Sequence, residues 1–188
     1  MTTTITMADT TFAKALRRLY LTRFAFAFAW AGLVFATAAM SGPLLTILLV
    51  IYPLFDAGAV VWQLRAEKEP QRSRDSAWTN AVVSVAVAVA LGVASTIAIS
   101  AALAVWGAWA IGSGIPQLIT AIRNRRSGGQ VAQMLSGGIS VFAGAGFLVQ
   151  GLRGAENITG AAGYAALGGI FFLISAGRLA TILRKAAA

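Results

Sequence analysis

Residues 77–122 contain no charged side chain. As one straight helix, roughly 46 residues at ~1.5 Å each would reach ~69 Å, about twice the ~30 Å hydrocarbon core of a bilayer. The stretch must therefore fold back on itself, and a water-soluble domain has no use for so long an insulated hairpin. It reads as the middle of a polytopic membrane protein. The composition agrees: 58% of residues are hydrophobic and only 11% are charged, against ~25% charged in ordinary globular domains. The 188 residues allow one compact bundle and no substantial soluble domain beside it.

Read in order, the chain predicts an all-α membrane protein with six transmembrane helices. Residues 1–23 form a cytoplasmic tail. Within it Phe12, Leu16, Leu19 and Tyr20 share one helical face, and Lys14, Arg17 and Arg18 the other. That spacing fits a short basic interfacial helix, or simply the charged flank of the first span. The transmembrane domain covers residues 24–185, with spans at about 24–40, 44–64, 78–98, 102–122, 131–149 and 158–179. A signal peptide is the competing reading of the first span, because arginines precede an apolar run ending in small residues. Ser41-Gly42-Pro43 makes the first turn, and the turn inside the central stretch falls near residues 95–100. The alternation Val85-Ala86-Val87-Ala88-Val89-Ala90 imitates a strand. An open strand in lipid would leave backbone groups unsatisfied, so a helix is expected there.

The spans group into three hairpins that repeat in parallel. A shift of 58 positions carries Arg65 onto Arg123, and a further 55 reaches Arg178; the same shifts relate the Pro43 turn to Ala101 and Glu156. Charge then sets the orientation. Of the 15 Lys and Arg residues, all but Arg153 fall on the two tails and on the second-to-third and fourth-to-fifth loops. The positive-inside rule places both termini in the cytoplasm. The formal charge of +9 thus reports topology and nearby anionic lipid, the expected partner, and not nucleic acid.

This pattern resembles the HdeD-type acid-resistance membrane proteins, a family of small six-span bacterial proteins built of repeated hairpins. The matching stretches are Leu135-Ser136-Gly137-Gly138-Ile139-Ser140-Val141-Phe142-Ala143-Gly144 and the region from Trp106 to Arg123 around Gly112-Ser113-Gly114-Ile115. Leu167-Gly168-Gly169-Ile170 followed by Arg178 repeats the second form. The resemblance implies a bacterial inner membrane and a physiological setting in envelope or acid stress, with no catalytic residues to carry over. Span three departs from it, with Gly92 alone.

Asp56 is the one acid inside an apolar span. A carboxylate at that depth costs ~2.5–3.5 kcal/mol on insertion scales unless paired, hydrated or protonated. It is either a proton or cation site, loosened by Pro53 three residues earlier, or half of a charge pair with Arg178, Arg23 or Arg123. Small residues recur at four-residue spacing: Ser84, Ala88, Gly92 and Thr96; Ser136, Ser140 and Gly144; Ala165 and Gly169. Such stripes mark close helix packing, or else a glycine-lined conduit, a homo-oligomer face or a contact with a larger membrane complex; the glycines expected to pack are Gly92, Gly112, Gly114, Gly138, Gly144 and Gly169. Trp62, Trp78 and Tyr20 suit an interfacial aromatic belt, whereas Trp30, Trp106 and Trp109 lie deeper.

Enzyme templates fail on inspection. With no histidine or cysteine, the usual metal and haem ligand clusters and His-assisted serine catalysis are excluded. No catalytic, cofactor-binding or metal-binding residues are expected. The sequence therefore points to a non-enzymatic structural or interaction component, the alternative being a small proton-coupled or solute transporter that uses Asp56.

Overall fold

The computed structural model describes residues 7–37, 42–66, 71–123 and 130–185. Residues 1–6 of the tail, 38–41 at the end of the first span and its turn, 67–70 of the second loop, the basic loop at 124–129 and residues 186–188 lie outside the described residues. Six α-helices follow one another: α1 (Met7–Thr37), α2 (Pro43–Ala66), α3 (Gln71–Ile97), α4 (Ile99–Arg123), α5 (Gln130–Leu152) and α6 (Thr159–Lys185). All six are long and apolar enough to cross a membrane. The chain is an all-α, six-helix membrane protein.

Two boundaries are sharper in the structure than in the sequence. The basic segment before the first span is continuous with it, because α1 runs unbroken from Met7 to Thr37. Nothing in 12–24 breaks a helix, so the backbone hydrogen bonds simply propagate. The central stretch folds back at Ala98, the lone residue between α3 and α4. The backbone hydrogen bonds Ala98 N–H to Ala94 and Ala102 N–H to Ala98 flank the reversal. Ala98 falls within the 95–100 window expected from the sequence, although no glycine or proline marks it.

The third turn is better signposted. Gly154 takes a φ of 78°, open to glycine at little cost. Ala155 N–H returns to the Gln150 carbonyl and Gly154 N–H to Gly151, the paired bonds of a Schellman close. Asn157 Oδ1 then accepts from Thr159 N–H at 2.9 Å and starts α6.

The helices form a closed ring in which each packs on its chain neighbours and α6 closes onto α1. Packing alternates around that ring. The α2–α3, α4–α5 and α6–α1 seams are intimate, while the α1–α2, α3–α4 and α5–α6 seams are looser. Each intimate seam therefore joins two different hairpins. All six helices contribute to one buried core, which includes Trp30, Leu49, Leu91, Trp106, Phe147 and Ile158. Those residues sit in the half nearest the short turns.

Burial within α3 explains the strand-like alternation. Ala81, Ser84, Ala88, Leu91 and Ala94 face inward, while Val82, Val85, Val89 and Val93 stand exposed. That spacing of three or four is helical. Small residues inside and bulky apolar ones outside invert the arrangement of a soluble helix. Phe142, 85% exposed at mid-helix in α5, needs lipid around it for the same reason.

Candidate functional site

Asp56 lies in α2, three residues after the buried Pro53. Proline has no N–H, so the Leu49 carbonyl loses its usual helical donor. Nearby, Trp30 Nε1 donates to the Leu48 carbonyl at 2.6 Å, tying α1 to α2 beside this break. Asp56 faces the seams on either side. Arg23 Nη2 in α1 donates to Asp56 Oδ1, and Ser84 Oγ in α3 donates to Asp56 Oδ2 at 3.2 Å. Both carboxylate oxygens are thereby engaged by neighbouring helices. The pair is largely enclosed, at 12% side-chain exposure for Arg23 and 22% for Asp56, and Ser84 is fully buried.

A fourth helix joins through the cation. The Arg23 guanidinium carbon lies 4.6 Å from the centroid of the Phe172 ring in α6, within reach of a cation–π attraction. Tyr20, one turn before Arg23, stacks on the same ring at 6.0 Å. The group thus links α6, α1, α2 and α3 across three consecutive seams. Phe55, next to Asp56, stacks on Phe26 at 3.8 Å. Aromatic contacts continue through Tyr52 to Trp30, Trp106 and Trp109 in the core. A rigid aromatic column therefore backs the polar group. Within that column the Trp106 indole N–H is buried and has no hydrogen-bond partner among the described residues.

Of the three arginines considered for Asp56, only Arg23 meets it. Arg123 and Arg178 are exposed at the surface. Ring order supplies the reason: α2 packs on α1 and α3, so its partners must come from those helices. Arg123 on α4 and Arg178 on α6 are each one helix too far round. The sequence marks Ser84 only as one of a row of small residues. Its chemical role follows from sharing a seam with Asp56.

The packing glycines also divide. A Cβ added to Gly107 would lie 2.5 Å from both the Gly144 carbonyl oxygen and the Leu148 nitrogen. Gly114 meets Gly137 and Ser140, and Gly151 meets Ser100 and Ala104, all under 3.0 Å. The α4 and α5 backbones touch directly. Gly92 against Val50 and Gly169 against Phe28 make milder approaches on the other two intimate seams. Gly112 and Gly138, expected to pack, have nothing within 4 Å of their Cβ positions. The missed positions were Gly107, Gly137 and Gly151. Their seven-residue spacing, Gly107–Gly114 and Gly137–Gly144–Gly151, was the available signal, because 3.5 residues per turn keeps a seam facing its partner.

The fold and this polar group define a multi-pass membrane protein with a charge pair inside its helix bundle. No protein-family model, curated protein or solved structure matches the chain.

Proposed function

We propose that this is a non-enzymatic membrane component whose bundle serves a structural or interaction role, with Arg23, Asp56 and Ser84 acting as an internal clamp. The supporting observation is the double engagement of Asp56, one oxygen held by Arg23 and the other by Ser84. A carrier needs a carboxylate that exchanges its partner for a proton or solute, whereas a clamp needs one that keeps its partner. The distribution of arginine and lysine supports both termini in the cytoplasm, and the family resemblance supports a bacterial inner membrane. The resemblance to HdeD-type proteins supports envelope or acid stress as the physiological setting.

Proteoliposomes test the division of roles. Purified protein is expected to carry no proton flux above that of empty vesicles. Cells carrying Arg23→Met together with Asp56→Leu are expected to survive acid as well as wild type, because an apolar pair can replace a paired charge at little cost. Flux that disappears in Asp56→Asn would replace this reading with that of a proton-coupled carrier. Equal acid survival with and without the gene would remove the stress role.

A further inference from the structure

The geometry points to a binding site for one anionic glycerophospholipid on the outer face of the α2–α3 seam, independent of the role given to the clamp. A groove of about 630 Å³ runs along this face. Its floor is made by small residues: Ala57 and Ala81 are buried, and Gly58 has nothing within 4 Å of its Cβ position. Leu54 and Val61 form one wall, Val82 and Val85 the other. Trp62, Trp78 and Arg65 line the end nearest the α2–α3 loop.

Length and charge select the occupant. From Leu54 to Arg65 the groove spans eleven helical steps, or ~16 Å at ~1.5 Å each. That is about half the ~30 Å hydrocarbon core, the depth of a single leaflet. An acyl chain laid in the groove therefore brings its phosphate to the level of Arg65. The Arg65 guanidinium is exposed and engages no carboxylate among the described residues. Arg74 adds a second cation at this end, donating to the carbonyl of Leu64, the residue before Arg65. Basic positions between helices at the membrane surface suit anionic headgroups, and tryptophans 43% and 48% exposed suit the interface. A zwitterionic lipid could fill the groove, but its ammonium would meet the same two arginines.

Native mass spectrometry of the full chain, released from nanodiscs of equimolar phosphatidylglycerol and phosphatidylcholine, tests this. The expected result is one retained lipid per chain, with phosphatidylglycerol favoured at least fivefold. Arg65→Gln should reduce that preference to near unity, and Arg65→Lys should restore most of it. Gly58→Leu fills the groove from an open position without threatening the fold, and should abolish retention of both lipids. Equal retention of the two lipids by the wild type would overturn the proposal, as annular lipid only. So would unchanged retention in Gly58→Leu. A dimer of the chain that Gly58→Leu dissociates would likewise overturn it, assigning the groove to a second copy.

Discussion

The α4–α5 seam and the polar seams around α2 hold the same bundle by opposite means. Between α4 and α5 the chain removes side chains until backbones touch, with Gly107 against Gly144 and Gly114 against Gly137. Around α2 it inserts a charge and surrounds it, with Arg23 on one side of Asp56 and Ser84 on the other. Lipid is as apolar as a leucine core, so no hydrophobic gain distinguishes buried from exposed apolar surface, and helices associate through dispersion and polar contacts instead. The glycine seam uses the first and the clamp the second. The glycine seam has no compliance, because a backbone cannot move aside. The clamp is discrete and can be removed as a unit.

The glycine seam should accordingly show the largest effect. In Gly107→Val the new atoms meet carbonyl and amide groups at 2.5 Å, so the two helices must separate. Ordinary overpacking costs ~1–3 kcal/mol, and this case should reach or exceed the top of that range. Reversible unfolding in mixed micelles is the measurement. A loss below ~1 kcal/mol would mean that the seam is not in contact.

The clamp should come next and behave non-additively. Arg23→Met alone strands Asp56 at a cost on the scale of ~2.5–3.5 kcal/mol for an intramembrane acid. Adding Asp56→Leu should recover nearly all of it, to within ~1 kcal/mol of wild type. Additive losses in that double-mutant cycle would show that the residues do not act as a pair. Ser84→Ala should cost less, ~0.6 kcal/mol by the average of interhelical hydrogen bonds in a bilayer. Its effect should vanish in the background lacking Asp56.

Sequence patterns report depth and periodicity well, and adjacency poorly. The number of helices followed from segment length and charge, and Asp56 stood out because an acid between apolar neighbours is costly wherever it sits. Its partner was another matter. Arg23, Arg123 and Arg178 all lay on helix segments leading to the charged side, and only the order of the ring separates them. The glycines failed for a related reason. Gly138 and Gly112 stand beside contact glycines in the runs Gly137-Gly138 and Gly112-Ser113-Gly114, and only the seven-residue period of the α4–α5 seam separates them. The α3–α4 reversal could be placed only to within residues 95–100, because no glycine or proline marks Ala98.

The smallest expected effect is also the sharpest check on the comparison. Gly138 lies next to Gly137 in the same helix, one a contact residue and the other open. An alanine methyl at 137 would lie 2.9 Å from the Leu118 amide nitrogen, while at 138 it meets nothing within 4 Å. Gly138→Ala should therefore be neutral or slightly stabilising, by up to ~0.5–1 kcal/mol, since alanine loses less backbone entropy than glycine in a helix. Gly112→Ala should match it, and Gly137→Ala should be clearly destabilised. If adjacent Gly137 and Gly138 gave equal losses, glycine would be acting in α5 through general flexibility, and the backbone contact with α4 would have no specific role.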